Sequence, residues 1–292
     1  MKISETSARD VGLAIPQRKP EAHKGDFGRL LVIGGSPRYV GAPALAALAA
    51  LRSGVDLAIV AAPEKVAWMI NSFSPDLITV KLPCEELEPS VIPSLKEELA
   101  KATALVIGPG LSGSQKVLSA VREIIEILKG EFSSLPAVFD ADALKPFAEI
   151  KQRLEMPWIL TPHAGEFRLL TGEELPGSTQ ERAEAVAALS QRMGVTVLLK
   201  GHADIIVSPD GRVKINRTGN PGMTVGGTGD VLAGVVGAFL AQKNLPFAAA
   251  AAGAWACGRA GDLCLKEIGY EFTASDVINM LPYVFREIRR RR

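Results

Sequence analysis

The 292-residue chain carries 33 Lys and Arg against 32 Asp and Glu, a net charge of +1, with 47% hydrophobic and 22% charged residues. That near-neutral balance argues against a nucleic-acid groove or an anionic membrane as partner, and it is ordinary globular usage with enough length for a substantial core. Three cysteines (Cys84, Cys257, Cys264) and three histidines (His23, His163, His202) fall in no metal-ligand spacing, so buried thiols in a reducing compartment are expected rather than disulfides or zinc.

In chain order, residues 1–6 (Met-Lys-Ile-Ser-Glu-Thr) lack a signal-peptide core. Strands are expected at 30–33, 57–60, 104–107, 137–139, 158–160 and 196–199, each a short apolar run without alternation, as for strands covered on both faces. Helices are expected between them at 42–53 and 115–129, giving repeated β-then-α units and a parallel sheet. After Lys200 the pattern changes to a hairpin, 204–208 and 213–216 around Pro209-Asp-Gly211. Three helices follow at 230–241, 246–266 and 273–290, the last ending in a solvated Arg289–Arg292 run suited to a helix C-terminus. The apolar stretch 231–257 is interrupted by Gln242-Lys-Asn244 and Pro246, and neither half reaches the roughly 20 residues of a membrane span. The expected protein is cytoplasmic and a single domain over 1–292.

Polar and glycine residues gather just after the strands: Gly34-Gly-Ser36, Gly108-Pro-Gly110, Asp140-Ala-Asp142, His163 and Lys200-Gly201. In a parallel sheet these would share one rim, where ligands bind. Gly108-Pro-Gly-Leu-Ser-Gly113 matches a dinucleotide-binding fingerprint, but Pro109 removes an N–H that pyrophosphate would use, and no Gly-Lys-Ser/Thr ending marks a P-loop. Asp140 and Asp142 either position magnesium or a phosphate-bound water, or serve as turn and N-cap residues. His163 either meets a ligand or caps the next helix. The Lys200–Asp204 segment either sets a lysine on phosphate and its backbone against a base, or is a plain tight turn.

The most informative segment is Asn220-Pro-Gly-Met-Thr-Val-Gly-Gly-Thr-Gly-Asp230, which runs into an apolar helix. Its glycines let the backbone approach an anion, and the helix N-terminus supplies N–H groups and a positive dipole end for phosphate. A carboxylate there repels phosphate unless it takes a proton from an attacking hydroxyl, which assigns Asp230 as general base. An ordinary Gly-rich turn capped by Asp is the competing reading.

With these segments in place the chain resembles the ADP/ATP-dependent NAD(P)H-hydrate dehydratases, a branch of the ribokinase-like fold. The resemblance covers nearly the whole chain. It rests on His23-Lys-Gly25, Leu31-Val-Ile-Gly-Gly-Ser36 with Gly41-Ala-Pro43, Val106-Ile-Gly-Pro-Gly-Leu111, Asp140-Ala-Asp-Ala-Leu144, Leu160-Thr-Pro-His163 with Glu166, Leu199-Lys-Gly201, and Asn220-Pro-Gly-Met223 through Gly226-Gly-Thr-Gly-Asp-Val-Leu232. It implies an α/β fold of three layers, α/β/α, with a mostly parallel central sheet, a C-terminal hairpin and helices. It implies a hydro-lyase of metabolite repair that restores NADH or NADPH from the S-epimer of the hydrate, by phosphorylating the ring hydroxyl and eliminating phosphate. The hydrate would lie against Ala42, Gly110, His163 and Asp230. ADP or ATP would lie along Lys200, Gly201, His202, Ala203 and Asp204 and at Gly229, with Gly226, Gly227, Thr228 and Gly229 as anion hole. Magnesium would bridge the phosphates, its protein ligands unassigned. No fused epimerase domain is expected, so a separate NAD(P)H-hydrate epimerase would handle the other epimer. Two departures stand out: Asp204 where threonine is more usual, and Thr224-Val225 in place of Ala-Thr. A homo-oligomer, a tetramer, is expected from the alanine-rich helical faces at 42–50 and 248–256, with core packing as the other account of them. The rival functions are a ribokinase-fold kinase of a hydroxymethylpyrimidine, thiazole or sugar, and a nucleotide sensor without turnover.

Overall fold

The computed structural model describes residues 3–291. A ten-stranded sheet runs in the order β1-β10-β9-β8-β7-β6-β5-β2-β3-β4. Its strands are β1 (Ile3–Glu5), β2 (Arg29–Ile33), β3 (Leu57–Pro63), β4 (Ile78–Leu82), β5 (Ala104–Ile107), β6 (Ala137–Phe139), β7 (Trp158–Leu160), β8 (Thr196–Leu199), β9 (Asp204–Val207) and β10 (Val213–Asn216). Pairing is parallel from β8 through β4, while β9 is antiparallel to both β8 and β10, as the expected hairpin requires.

The apolar runs have two faces to fill. Leu30 and Val32 of β2 point into one core, Leu31 and Ile33 into the other, and all four are essentially inaccessible. The first core is closed by α1 (Ala8–Ala14), α2 (Gly41–Arg52), α3 (Glu64–Asn71), α8 (Thr228–Ala241), α9 (Pro246–Glu267) and α10 (Ala274–Arg290). The second is closed by α4 (Ile92–Lys101), α5 (Gln115–Gly130), α6 (Ala164–Thr171) and α7 (Thr179–Met193), with a 3-10 segment at Ala141–Glu149. Three layers result, α/β/α.

Helix α8 is apolar around its whole circumference because it lies between the sheet and other helices. Its glycines set the spacing: a Cβ on Gly234 would fall 2.1 Å from the Ala46 carbonyl oxygen of α2. The alanine-rich faces of α2 and α9 are therefore largely core, with Ala46, Ala47, Ala250 and Ala252 fully buried and Ala248 exposed. Gly234→Ala is expected to force α2 and α8 apart, costing about 3 kcal/mol and lowering the melting temperature by roughly 5 °C or more in thermal denaturation. Gly130→Ala, where a Cβ meets nothing within 4 Å, is the control and should leave the transition in place.

Cys257 and Cys264 are buried along α9, Cys84 is half-buried, and all three are free thiols. The Arg290 and Arg291 end of α10 is solvated, with Arg291 paired to Glu287; Met1, Lys2 and Arg292 of the terminal segments read above lie outside the described residues. Among the described residues no helix is long and apolar enough to cross a membrane.

Candidate functional site

Five neighbouring strands, β8-β7-β6-β5-β2, carry the five polar clusters at their carboxyl ends, so the clusters do share one rim. The sheet ladder continues into them: Gly108 N–H bonds the Ile33 carbonyl, Asp140 N–H that of Ile107 and Thr161 N–H that of Phe139, at 3.0–3.1 Å. From β2 the chain turns one way into β3 and β4, and β5 then returns to the other side of β2. This is the topological switch point, where two strand-end loops diverge and leave a crevice.

The glycines of the fingerprint-like loop serve that crevice. Gly108 has φ 130°, and a Cβ there would sit 1.8 Å from the Asp140 carbonyl oxygen. Gly110 has φ 70° and faces the Tyr39 carbonyl at 2.5 Å on the same measure. Pro109 accepts the Gly35 N–H at 2.9 Å, and α5 starts only at Ser114, whose hydroxyl caps it. The loop's backbone is thus engaged with its neighbours rather than laid out for a pyrophosphate.

The second glycine loop starts α8. Gly227 is the N-cap, at φ 96° and pressed against Leu45, and the Thr228 hydroxyl donates to the Met223 and Val225 carbonyls, which closes the loop. Val231 N–H bonds back to the Gly227 carbonyl at 3.0 Å, and the N–H groups of the turn before it have no helical carbonyl behind them to bond. Asp230 is the third residue of the helix and makes no side-chain cap, so the simple capping reading does not hold. Burial and the negative charge of Asp140 push its carboxyl up to about 7, with Lys200 offsetting part of the rise.

Lys200 ties the rim together. Its Nζ donates to Asp140 Oδ1 at 2.6 Å and lies 3.7 Å from Glu166 Oε2 and, on the other side, close to Gly229. Burial opposes its charge, but Asp140 and Glu166 outweigh that, and the amine is held above the usual lysine range. Thr161 adds a hydroxyl to Asp140 Oδ1 at 2.8 Å. Asp142 instead pairs with Lys145 at 2.5 Å, and Ala141 between the two aspartates is held at φ 50°. His163 caps α6: its Nδ1 accepts the Gly165 and Glu166 N–H groups at 3.0 and 3.3 Å, while Glu166 returns a bond to the His163 N–H. Asp204 turns inward and accepts the Gly201 N–H and the Asn216 amide. The 201–203 turn itself is largely exposed.

A cleft of about 340 Å³ at this rim brings together Ala42, Gly110 and Asp230 with Tyr39, Lys145 and Glu166. His163 is not among the residues lining it but bonds to Glu166, which is. Tyr39 and Lys145 were not singled out from sequence, since neither belongs to a motif with a spacing signal. Among the described residues no three His, Cys, Asp or Glu side chains form a metal cage, and Asp140 and Asp142 are each committed to a lysine. Magnesium held by substrate phosphates with one or two carboxylates needs no such cage.

A family model described as NAD(P)H-hydrate dehydratase matches residues 30–283. The chain belongs to the NAD(P)H-hydrate dehydratase family. It is 45% identical over 269 residues to the bifunctional NAD(P)H-hydrate repair enzyme Nnr of Pyrobaculum aerophilum, covering 92% of this chain and 52% of that one. It is 36% identical to the ADP-dependent (S)-NAD(P)H-hydrate dehydratase of Cenarchaeum symbiosum, covering 96% of both. The ADP/ATP-dependent NAD(P)H-hydrate dehydratase of Bacillus subtilis, co-crystallised with ATP/Mg2+, superposes with a TM-score of 0.79 at 28% identity over 97% of each chain. The chain spans about half the length of the first of the curated relatives it matches. Membership of this dehydratase family agrees with the ribokinase-like α/β/α layering, and the Gly108–Gly113 match to a dinucleotide-binding fingerprint carries no fold of its own.

Proposed function

We propose that the chain, as a single domain over 1–292, is an ADP- or ATP-dependent hydro-lyase that restores NADH or NADPH from the S-epimer of the hydrate. The observation that carries this is Asp230: a carboxyl held near 7 in the first turn of α8, between an open helix N-terminus and the cleft. At neutral pH such a group takes a proton and releases it again with little driving force, the property of a general base.

The hydrate rests against Ala42, Gly110 and His163, with its ring hydroxyl toward Asp230. Asp230 takes the hydroxyl proton as that oxygen bonds the terminal phosphorus of the nucleotide and the bridging phosphate bond breaks. The Gly226, Gly227, Thr228 and Gly229 amides stabilise charge on the transferred group, and the Lys200 cation beside Gly229 adds to them. Phosphate is a far better leaving group than hydroxide. The ring nitrogen lone pair expels it, and loss of a proton from the adjacent carbon restores the dihydropyridine. Magnesium is assigned to the nucleotide, where it would neutralise phosphate charge.

ADP is the favoured donor, in keeping with the name of the Cenarchaeum relative. The free thiols support a reducing cytoplasm. For the homotetramer, the support moves from the alanine faces to Trp68, Met69 and Phe73 at α3 and Ile78 of edge strand β4, all exposed. The companion activity is an NAD(P)H-hydrate epimerase, consistent with the bifunctional names of the longer relatives.

The test is turnover of the NADH hydrate with ADP and ATP side by side. Recovery of NADH absorbance with stoichiometric free phosphate is expected, and kcat should rise with pH through a limb near 7 as Asp230 loses its proton. A stable phosphorylated product would establish the kinase reading instead, and nucleotide binding without turnover the sensor.

A further inference from the structure

A buried polar cluster joins the β8–β9 turn to the loop that leads from β10 toward α8, and the proposed chemistry does not use it. Asp204 opens β9, Asn216 closes β10, and the two are partners in the hairpin register. Asp204 Oδ1 accepts the Gly201 N–H at 3.1 Å, and Oδ2 accepts from Asn216 Nδ2 at 3.0 Å. Asn216, 1% exposed, donates through the same nitrogen to the Ala254 carbonyl of α9 at 3.2 Å. Its Oδ1 accepts the hydroxyls of Thr6 and Thr218 at 2.8 and 2.9 Å. The Thr218 hydroxyl also lies 3.1 Å from the Trp255 carbonyl of α9, and the next two residues, Gly219 and Asn220, both donate to the Asp262 carboxylate of α9.

A carboxylate meets a demand here that other short side chains do not. Ionised, it only accepts, so it takes both N–H groups at once; asparagine would turn an NH2 toward one of them, and threonine has a single oxygen. The choice runs against stability. Burial pushes the Asp204 carboxyl up to about 6, and the bonds from Asn216 and Gly201 with the Lys200 charge offset only part of this. Because the folded value lies above the unfolded one, the group's contribution to stability is most favourable below pH 3.8, declines as pH rises toward 6 and is lost above it. A residue present only for packing would be better neutral.

We propose that Asp204 and Asn216 are positioning residues for the adenine nucleotide, holding the Lys200–Gly201 turn and the 218–220 loop as two fixed walls of its subsite. The inference rests on the nucleotide reading given above. Asp204 acts through the Gly201 peptide, both of its oxygens being engaged within the protein.

Calorimetric titration of ADP and ATP tests it. Asp204→Asn and Asn216→Ala are each expected to weaken nucleotide binding about 10-fold, the scale of one misplaced buried hydrogen bond. The double variant should lose about as much as either single one, because the two residues form one unit. KM for the hydrate should stay put, and Asp204→Asn should melt no lower than wild type at pH 8. If Asn216→Ala does not fold, Asp204→Thr carries the comparison, keeping an acceptor for Gly201 while losing Asn216, with an intermediate loss expected. Equal nucleotide affinity in wild type and Asp204→Asn, or a parallel rise in KM for the hydrate, overturns the proposal while the nucleotide reading stands. A wild-type protein that binds neither ADP nor ATP overturns that reading itself.

Discussion

Asp230→Asn is expected to lower turnover of the hydrate by at least ~100-fold, the usual scale for loss of a general base, while nucleotide affinity stays near wild type. The side chain keeps its shape, so the crevice and the anion loop keep theirs. The same substitution should stabilise the protein. Asp230 sits at about 7 when folded, against an ordinary value of 3.8, so the folded state holds its proton more tightly than the unfolded state. Its contribution is most favourable below pH 3.8, declines as pH rises toward 7 and is lost above it. Asparagine removes that decline. The variant should therefore melt roughly 2–4 °C higher than wild type at pH 8, an order of 1 kcal/mol, with the gain shrinking toward pH 4. An inactive variant that is also less stable at pH 8 would mark Asp230 as structural. Near-normal turnover would falsify the base assignment outright.

That trade between stability and chemistry explains why Asp230 was legible in the sequence. A carboxylate after a glycine run conflicts with the phosphate site that the run implies, and such local conflicts are where function shows. The strands were legible for a different reason. Ala104–Ile107, Ala137–Phe139, Trp158–Leu160 and Thr196–Leu199 lie in the sheet interior, so uninterrupted apolar runs end where burial ends. Edge strands carry no such signal: β4 reads Ile-Thr-Val-Lys-Leu with only Leu82 buried, and β1 has no buried residue. Neither was expected, nor were α1, α3, α4 and α7; α3 and α4 have no side-chain cap to announce them, whereas the Ser178-Thr-Gln-Glu181 capping box of α7 was a signal that could have been read. Helix α8 begins at Thr228 rather than Asp230 because Gly227, in the left-handed region, takes the N-cap.

Within the site, residue types at strand ends were readable and their commitments were not. His163 left two roles open, and the structure fills one with the cap of α6. Asp140 and Asp142 looked equivalent, yet one is buried against Lys200 and the other half-buried beside Lys145. These choices depend on which side chains meet across strands 60 residues apart in sequence. No periodicity encodes that.

Lys200→Met should produce the largest combined loss. The Asp140 side chain is 4% exposed and Lys200 19%, and removing the cation leaves Asp140, Glu166 and Asp230 facing one another with only Thr161 donating to Asp140. Breaking a buried pair from one side costs about 3–5 kcal/mol, because the remaining charge has no compensation. Asp140 would escape part of this by taking a proton. Lys200 also holds the Asp230 value down, so its removal should move the activity limb above 7. Turnover at neutral pH is expected to fall at least ~100-fold, combining a protonated base with loss of a cation beside Gly229. The double variant Lys200→Met with Asp140→Asn separates the two causes. Removing both partners takes away the uncompensated charge, so chemical denaturation should return most of the lost stability. Activity should not return with it, because the cation beside Gly229 is still missing. Full recovery of turnover in the double variant would reduce Lys200 to the partner of Asp140 and leave the helix N-terminus as the whole of the anion site.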